Sequence, residues 1–172
     1  MSASSERRIA SSPVPVIQWR DLFVLVDKGE TRASDYPILE RLVVEQSTKY
    51  PDGLGCIVII PATASPPPDD VRQAINETLE RLSPKIRCMC WVVEGTGFRA
   101  AIARAVLTGL RVLRRHPYET HVASDLTSAV RWVVASISRG NSRLAEVPVA
   151  VRAIQQGRGS VHPKATPQSM SA

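Results

Sequence analysis

The 172-residue chain lacks several features that would assign it to a class at once. No apolar run approaches the ~18 residues of a membrane-spanning helix. Even GCIVIIPA, from Gly55 to Ala62, is of strand length and is closed by Pro61. No membrane insertion is expected. Near the N-terminus, Arg7 and Arg8 precede IASSPVPVIQW, which two prolines interrupt, so the ~7 to 15 apolar residues of a secretion signal are missing. The expected location is the cytoplasm. The three cysteines, Cys56, Cys88 and Cys90, all lie in apolar stretches, where cysteine behaves as a small hydrophobe, and an odd buried set suits a reducing compartment. Cys88 and Cys90 are two apart and share one face of a strand, but they lack the C-x-x-C spacing of a redox or zinc motif. No metal site and no cofactor are expected.

A G-x-S-x-G elbow is also missing, and only three histidines could serve as a base. His162 lies in the polar C-terminal segment, His116 closes an Arg-rich helix before Pro117, and His121 lies in the last strand. Glu94 and Glu119 make an acid/base pair only if the loops bring them together. The chain therefore reads as a non-enzyme, with no catalytic residues assigned.

The formal charge is +6, which suggests nucleic acid until it is divided along the chain. Residues 1–18 and 139–172 together hold seven basic and two acidic side chains, leaving 15 basic and 14 acidic between them. The middle is nearly neutral, so nucleic acid is expected only as a weak contact of the tails. The ends are rich in Ser, Pro, Ala and Gln, too poor in large apolar side chains to offset the entropy of ordering them. The expected organisation is a disordered tail over 1–15, one domain over 16–140, and a basic, mostly disordered tail over 141–172 with room for one short helix.

Within the domain, VIQWRDLFVLVDKGE reads as an antiparallel hairpin broken at Arg20 and Asp21. Leu39, Leu42, Val43 and Gln46 share a helical stripe after Ser34 or Asp35 as N-cap. GLGCIVIIPA is apolar on consecutive positions, the signature of a strand covered on both faces. Val71, Ile75, Leu79 and Leu82 form a second helical stripe ending before Pro84, with Asp69 or Asp70 to cap it. CMCWVVEGTGFRAAIARAVLTGLRVL supplies a third covered strand and a third helix, and ETHVASDLTSAVRWVVASIS a last strand and a fourth helix capped by Ser124 or Asp125. This order predicts an α/β fold: a mixed, mainly parallel sheet of about five strands flanked by four helices.

Three places could carry function. Gly95, Thr96, Gly97 and Ala100 meet the G-x-G-x-x-G/A spacing, with Asp125 at the end of the next strand, so a small nucleotide-binding enzyme is the alternative reading. Against it, Glu94 places a carboxylate where phosphate would come, and Asp125 has a simpler task as a helix cap. In the loop IIPATASPPPDD, Thr63 and Ser65 are candidate phosphoacceptors beside Asp69 and Asp70, which repel phosphate. On the third helix, Arg104, Arg111 and Arg115 fall within about 40° of one another on the outward side and form a candidate surface for an acidic partner.

The element order, the G-x-T-x-x-x-D-Y entry to the first helix (Gly29, Thr31, Asp35, Tyr36) and the closing S-D-x-x-x-A-x-x-W pattern (Ser124, Asp125, Ala129, Trp132) resemble STAS-like domains related to anti-sigma factor antagonists. The resemblance covers roughly residues 16–137. It implies a mixed sheet flanked by helices and non-catalytic binding of a partner protein or small ligand. The D-S-S-G-like phosphorylated serine motif of such antagonists is absent, so a phosphorylation switch does not carry over. The expected function is a cytoplasmic regulatory or adaptor domain that binds a partner protein, with a homodimer as a further expectation.

Overall fold

The computed structural model describes residues 6–8, 14–27, 29–61, 64–96, 100–101, 117–138 and 142–159. Strands β1 (Glu6–Arg8), β2 (Val16–Trp19), β3 (Leu22–Val26), β4 (Leu54–Ile60), β5 (Ile86–Val93) and β6 (Glu119–Ala123) form one sheet in the order β1-β2-β3-β4-β5-β6. The pairs β1–β2 and β2–β3 are antiparallel, and β3–β4, β4–β5 and β5–β6 are parallel. The mixed, mainly parallel α/β sheet expected from the alternation of elements is thus present. Its hairpin turns at Arg20 and Asp21, and Arg20 takes a positive φ of 51° to reverse the chain in two residues.

Helices α1 (Tyr36–Ser47) and α2 (Asp69–Leu82) cover one face, and α3 (Leu126–Ile137) and α4 (Val147–Gly159) the other. Strand alternation divides the core accordingly. Phe23, Cys56 and Met89 pack with Leu39, Leu42 and Val71, while Val24, Ile57, Cys88 and Cys90 pack with Val130, Val133 and Ile154. Cys88 and Cys90 do share a face. At Gly55 in β4 any side chain would overlap Val133 and Ile137, so α3 lies directly on the backbone there.

The structure adds detail to three expectations. The segment 141–172 is not a tail throughout. Val147, Ala150, Ala153, Ile154 and Gly157 recur at helical spacing and are buried, with Gly157 close enough to β2 that a Cβ would come within 2.9 Å of Ile17. Small residues let α4 approach the sheet, and the domain extends at least to Gly159. At the other end, β1 pairs with β2 inside the expected tail, and Val14 is buried. Third, Asp35 makes no side-chain cap on α1; its Oδ2 accepts from the Arg32 N–H (2.8 Å) and closes the preceding 3-10 turn. Of the helix expected after Gly97, only residues 100–101 are described.

Candidate functional site

The glycine turn after β5 is occupied by contacts of the protein itself. Gly95 takes a φ of +97°, which glycine adopts without steric cost, and Thr96 is exposed; Gly97 lies outside the described residues. The Glu94 carboxylate is held by both terminal nitrogens of Arg158, at 2.7 and 2.8 Å, in a half-buried bidentate pair. Asp125 caps α3: its carboxylate accepts from the Ser128 N–H (2.8 Å) and hydroxyl (2.7 Å), and these bonds hold its pKa below the usual value. The crevice used by dinucleotide-binding sheets opens where strand order reverses. The described strands run in sequential order, so they supply no such reversal.

Other expected residues are dispersed. Ser65 is exposed in the loop before α2; Thr63, and the partner-binding candidates Arg104, Arg111 and Arg115, lie outside the described residues. Glu94 and Glu119 do not meet. Glu119 pairs in register with Cys88 at the start of the shared ladder, whereas Glu94 follows its far end, which separates them by about 20 Å of strand. Glu119 instead accepts a 3.5 Å bond from the Ser136 hydroxyl. His121 stacks on Trp132 with ring centroids 5.0 Å apart. The three thiols are buried, and burial pushes Cys56 and Cys90 up to about 12 and Cys88 higher still, which removes thiolate chemistry near neutral pH. Among the described residues no group of His, Cys, Asp and Glu could hold a metal ion, and no described helix is long and apolar enough to cross a membrane.

The feature the sequence reading missed is a groove between α3 and α4. Two adjoining depressions of about 480 Å³ each share Thr127, Arg131 and Leu144. One continues along α3 over Asp125, Ser128, Trp132 and Ala135, and the other along α4 over Val147, Pro148, Val151, Arg152 and Gln155. Both helices contribute positions at the same helical spacing, Thr127, Ser128, Arg131, Trp132 and Ala135 on α3, and Val147, Pro148, Val151, Arg152 and Gln155 on α4. The groove is therefore the seam between two parallel stripes. Its floor is aliphatic, from Leu144, Val147 and Val151, and its rims carry the exposed guanidinium groups of Arg131 and Arg152.

Ion pairs fix the segment that forms this floor. Arg143, directly before Leu144, donates to both oxygens of the buried Asp21 carboxylate (2.6 and 3.1 Å) and to Glu146 (2.9 Å), which raises its pKa. Glu146 also receives Arg20 at 2.9 Å. The β2–β3 turn thereby anchors one end of α4, and Glu94 anchors the other through Arg158. On the opposite side of that turn, Gln46 Nε2 donates to the carbonyls of Arg20 (2.7 Å) and Leu22 (2.9 Å). Arg20, Arg72, Arg81, Arg143 and Arg158 each pair with a carboxylate. Among the described residues Arg131 and Arg152 have no carboxylate partner. A signal for this site was present in Val147, Ala150, Ile154 and Gly157, which mark a docked helix, but adjacency of α3 and α4 is needed to make a groove of it. In comparisons with known proteins, no family model and no curated sequence matched the chain.

Proposed function

We propose that the chain is a cytoplasmic, non-catalytic regulatory or adaptor domain, STAS-like in architecture, that binds a partner protein. The observation that carries this reading is the open α3–α4 groove, in which an aliphatic floor lies between two exposed guanidinium groups without carboxylate partners among the described residues. Desolvated aliphatic area supplies affinity, and unpaired arginine supplies orientation and selectivity. The STAS-like reading is supported by the hairpin followed by strand–helix alternation, and by Asp125 and Trp132 of the closing pattern both lining this groove. The non-catalytic reading is supported by the engagement of Asp21, Glu94 and Asp125 in structural contacts and by the burial of the thiols.

Site-specific photocrosslinking tests it. A benzophenone side chain at Gln155, in the groove, is expected to give discrete adducts in the native cell, whereas the same group at the exposed Glu80 of α2 gives none. Equal labelling at both positions, or none at Gln155, overturns the assignment.

A further inference from the structure

We infer that the occupant of the α3–α4 groove is an acidic amphipathic segment of the partner. Its aliphatic side chains pack on Leu144, Pro148 and Val151, and its carboxylates pair with Arg131 and Arg152. This deepens the partner-binding reading and rests on it. The groove runs between two helices and has an aliphatic floor, a setting in which an amphipathic helix can lay its apolar stripe. Arginine on the rims favours carboxylates, because its planar fork can donate two parallel bonds to one group. The floor between the rims is aliphatic, so the ligand must be apolar on one side and charged on the other. A nucleic acid or other polyanion meets that demand poorly, because it leaves the aliphatic floor wet. Asp125 also gives the groove a direction, since the acidic residues of the segment belong toward Arg152, on the far side of Arg131 from Asp125.

The groove carries its own reporter. Trp132 lines it, while Trp19 is buried in the core and Trp91 lies in β5. The test is titration of the full chain, followed by tryptophan emission, with three synthetic peptides of about 14 residues. The first has Leu at i, i+4, i+7 and i+11 on a Glu background, the second has the same Leu on Lys, and the third has Glu with Ser in place of Leu. Saturable binding of the first is expected, weakening with added salt, with the other two at least about tenfold weaker. The Arg131→Glu, Arg152→Glu variant is expected to lose the binding. Arg131→Lys with Arg152→Lys retains part of it, and Arg72→Glu on the other face leaves it unchanged. Because Arg131 and Arg152 are exposed, circular dichroism should show wild-type folding for each of these variants.

Equal binding of the Leu–Lys or Glu–Ser peptide, or survival of the Leu–Glu interaction in the charge-reversed variant, overturns the proposal. If crosslinks form at Gln155 while the Leu–Glu peptide fails to bind, the occupant chemistry is wrong and the partner-binding reading stands. If crosslinks are absent too, both fall.

Discussion

The two faces of the sheet are covered in different ways. On one, α1 and α2 meet the strands through large side chains such as Phe23, Leu39, Leu42 and Met89, and their polar sides carry solvated ion pairs, Arg81 with Glu40 and Arg72 with Asp69. On the other, α3 and α4 approach through glycine, alanine and valine, with Gly55 under α3 and Gly157 over Ile17. Of the pairs on that side, Arg143 with Asp21 is largely withdrawn from solvent, Arg158 with Glu94 is half-buried, and Arg20 with Glu146 is solvated. The first face is held by the burial of large apolar side chains. The second depends on close approach and on ion pairs that anchor both ends of α4, which give the α3–α4 seam a defined shape.

Removing α4 should have the largest effect. A chain ending at Ser138 uncovers Ile17 and the strands beneath α4 and loses the burial of Val147 and Ile154, each contributing ~1.5–3 kcal/mol. The expected loss is at least about 4 kcal/mol of unfolding free energy, a large part of what such a domain possesses. Urea denaturation followed by circular dichroism measures it; an unchanged midpoint would show that α4 is dispensable and that the faces do not differ as described.

Close packing is probed next. Gly55→Val drives a side chain into Val133 and Ile137 and should cost about 2–3 kcal/mol by overpacking. Gly157→Ala, whose nearest neighbours are all atoms of the Ile17 side chain, should cost about 1 kcal/mol. A reversed order of the two melting shifts would contradict the closer seating of α3.

Ion pairs sharpen the same contrast. Asp21→Ala leaves Arg143 withdrawn from water and short of its main partner, with an expected cost of about 2 kcal/mol. Arg81→Ala breaks a solvated pair and should cost less than about 1 kcal/mol. Equal losses would mean that solvation does not separate the two faces.

The smallest expected effect belongs to the α3 cap. Asp125→Ala should lose about 1 kcal/mol at neutral pH. The folded-state pKa of Asp125 lies below its unfolded value, so its contribution is present in full above the unfolded carboxylate pKa of about 3.9 and fades as pH falls through the folded value. The difference between wild type and variant in thermal melts should therefore shrink below about pH 4. A difference independent of pH would locate the effect outside the carboxylate.

Where the physics is local, the sequence was legible. The break at Arg20 and Asp21 falls on the hairpin turn, the continuous run in GLGCIVIIPA is a strand buried on both faces, and Asp125 caps the helix that follows it. The candidate site was less legible. Glu94 was recognised as an obstacle to phosphate, but its partner Arg158 lies 64 positions away on a helix placed in a tail. That helix has a weak sequence signal because Ala150, Ala153 and Gly157 carry little apolar area of their own. They stabilise the fold by letting two backbones come close, which has no signature in composition.

The sequence by itself determined the class of fold, the alternation of strands and helices and the Asp125 cap, because periodicity and turn chemistry act over a few residues, whereas α2 begins after Pro68 with Asp69 and Asp70 inside its first turn and no side-chain cap. Tertiary structure alone decided which arginines are neutralised and which are left on the rims of a groove. Arg143 and Arg131 are the same residue type on neighbouring segments, yet one meets Asp21 across 122 positions and the other, among the described residues, meets no carboxylate. Charge pairing over such separations is set by where the chain folds back, and only the packed sheet and helices fix that.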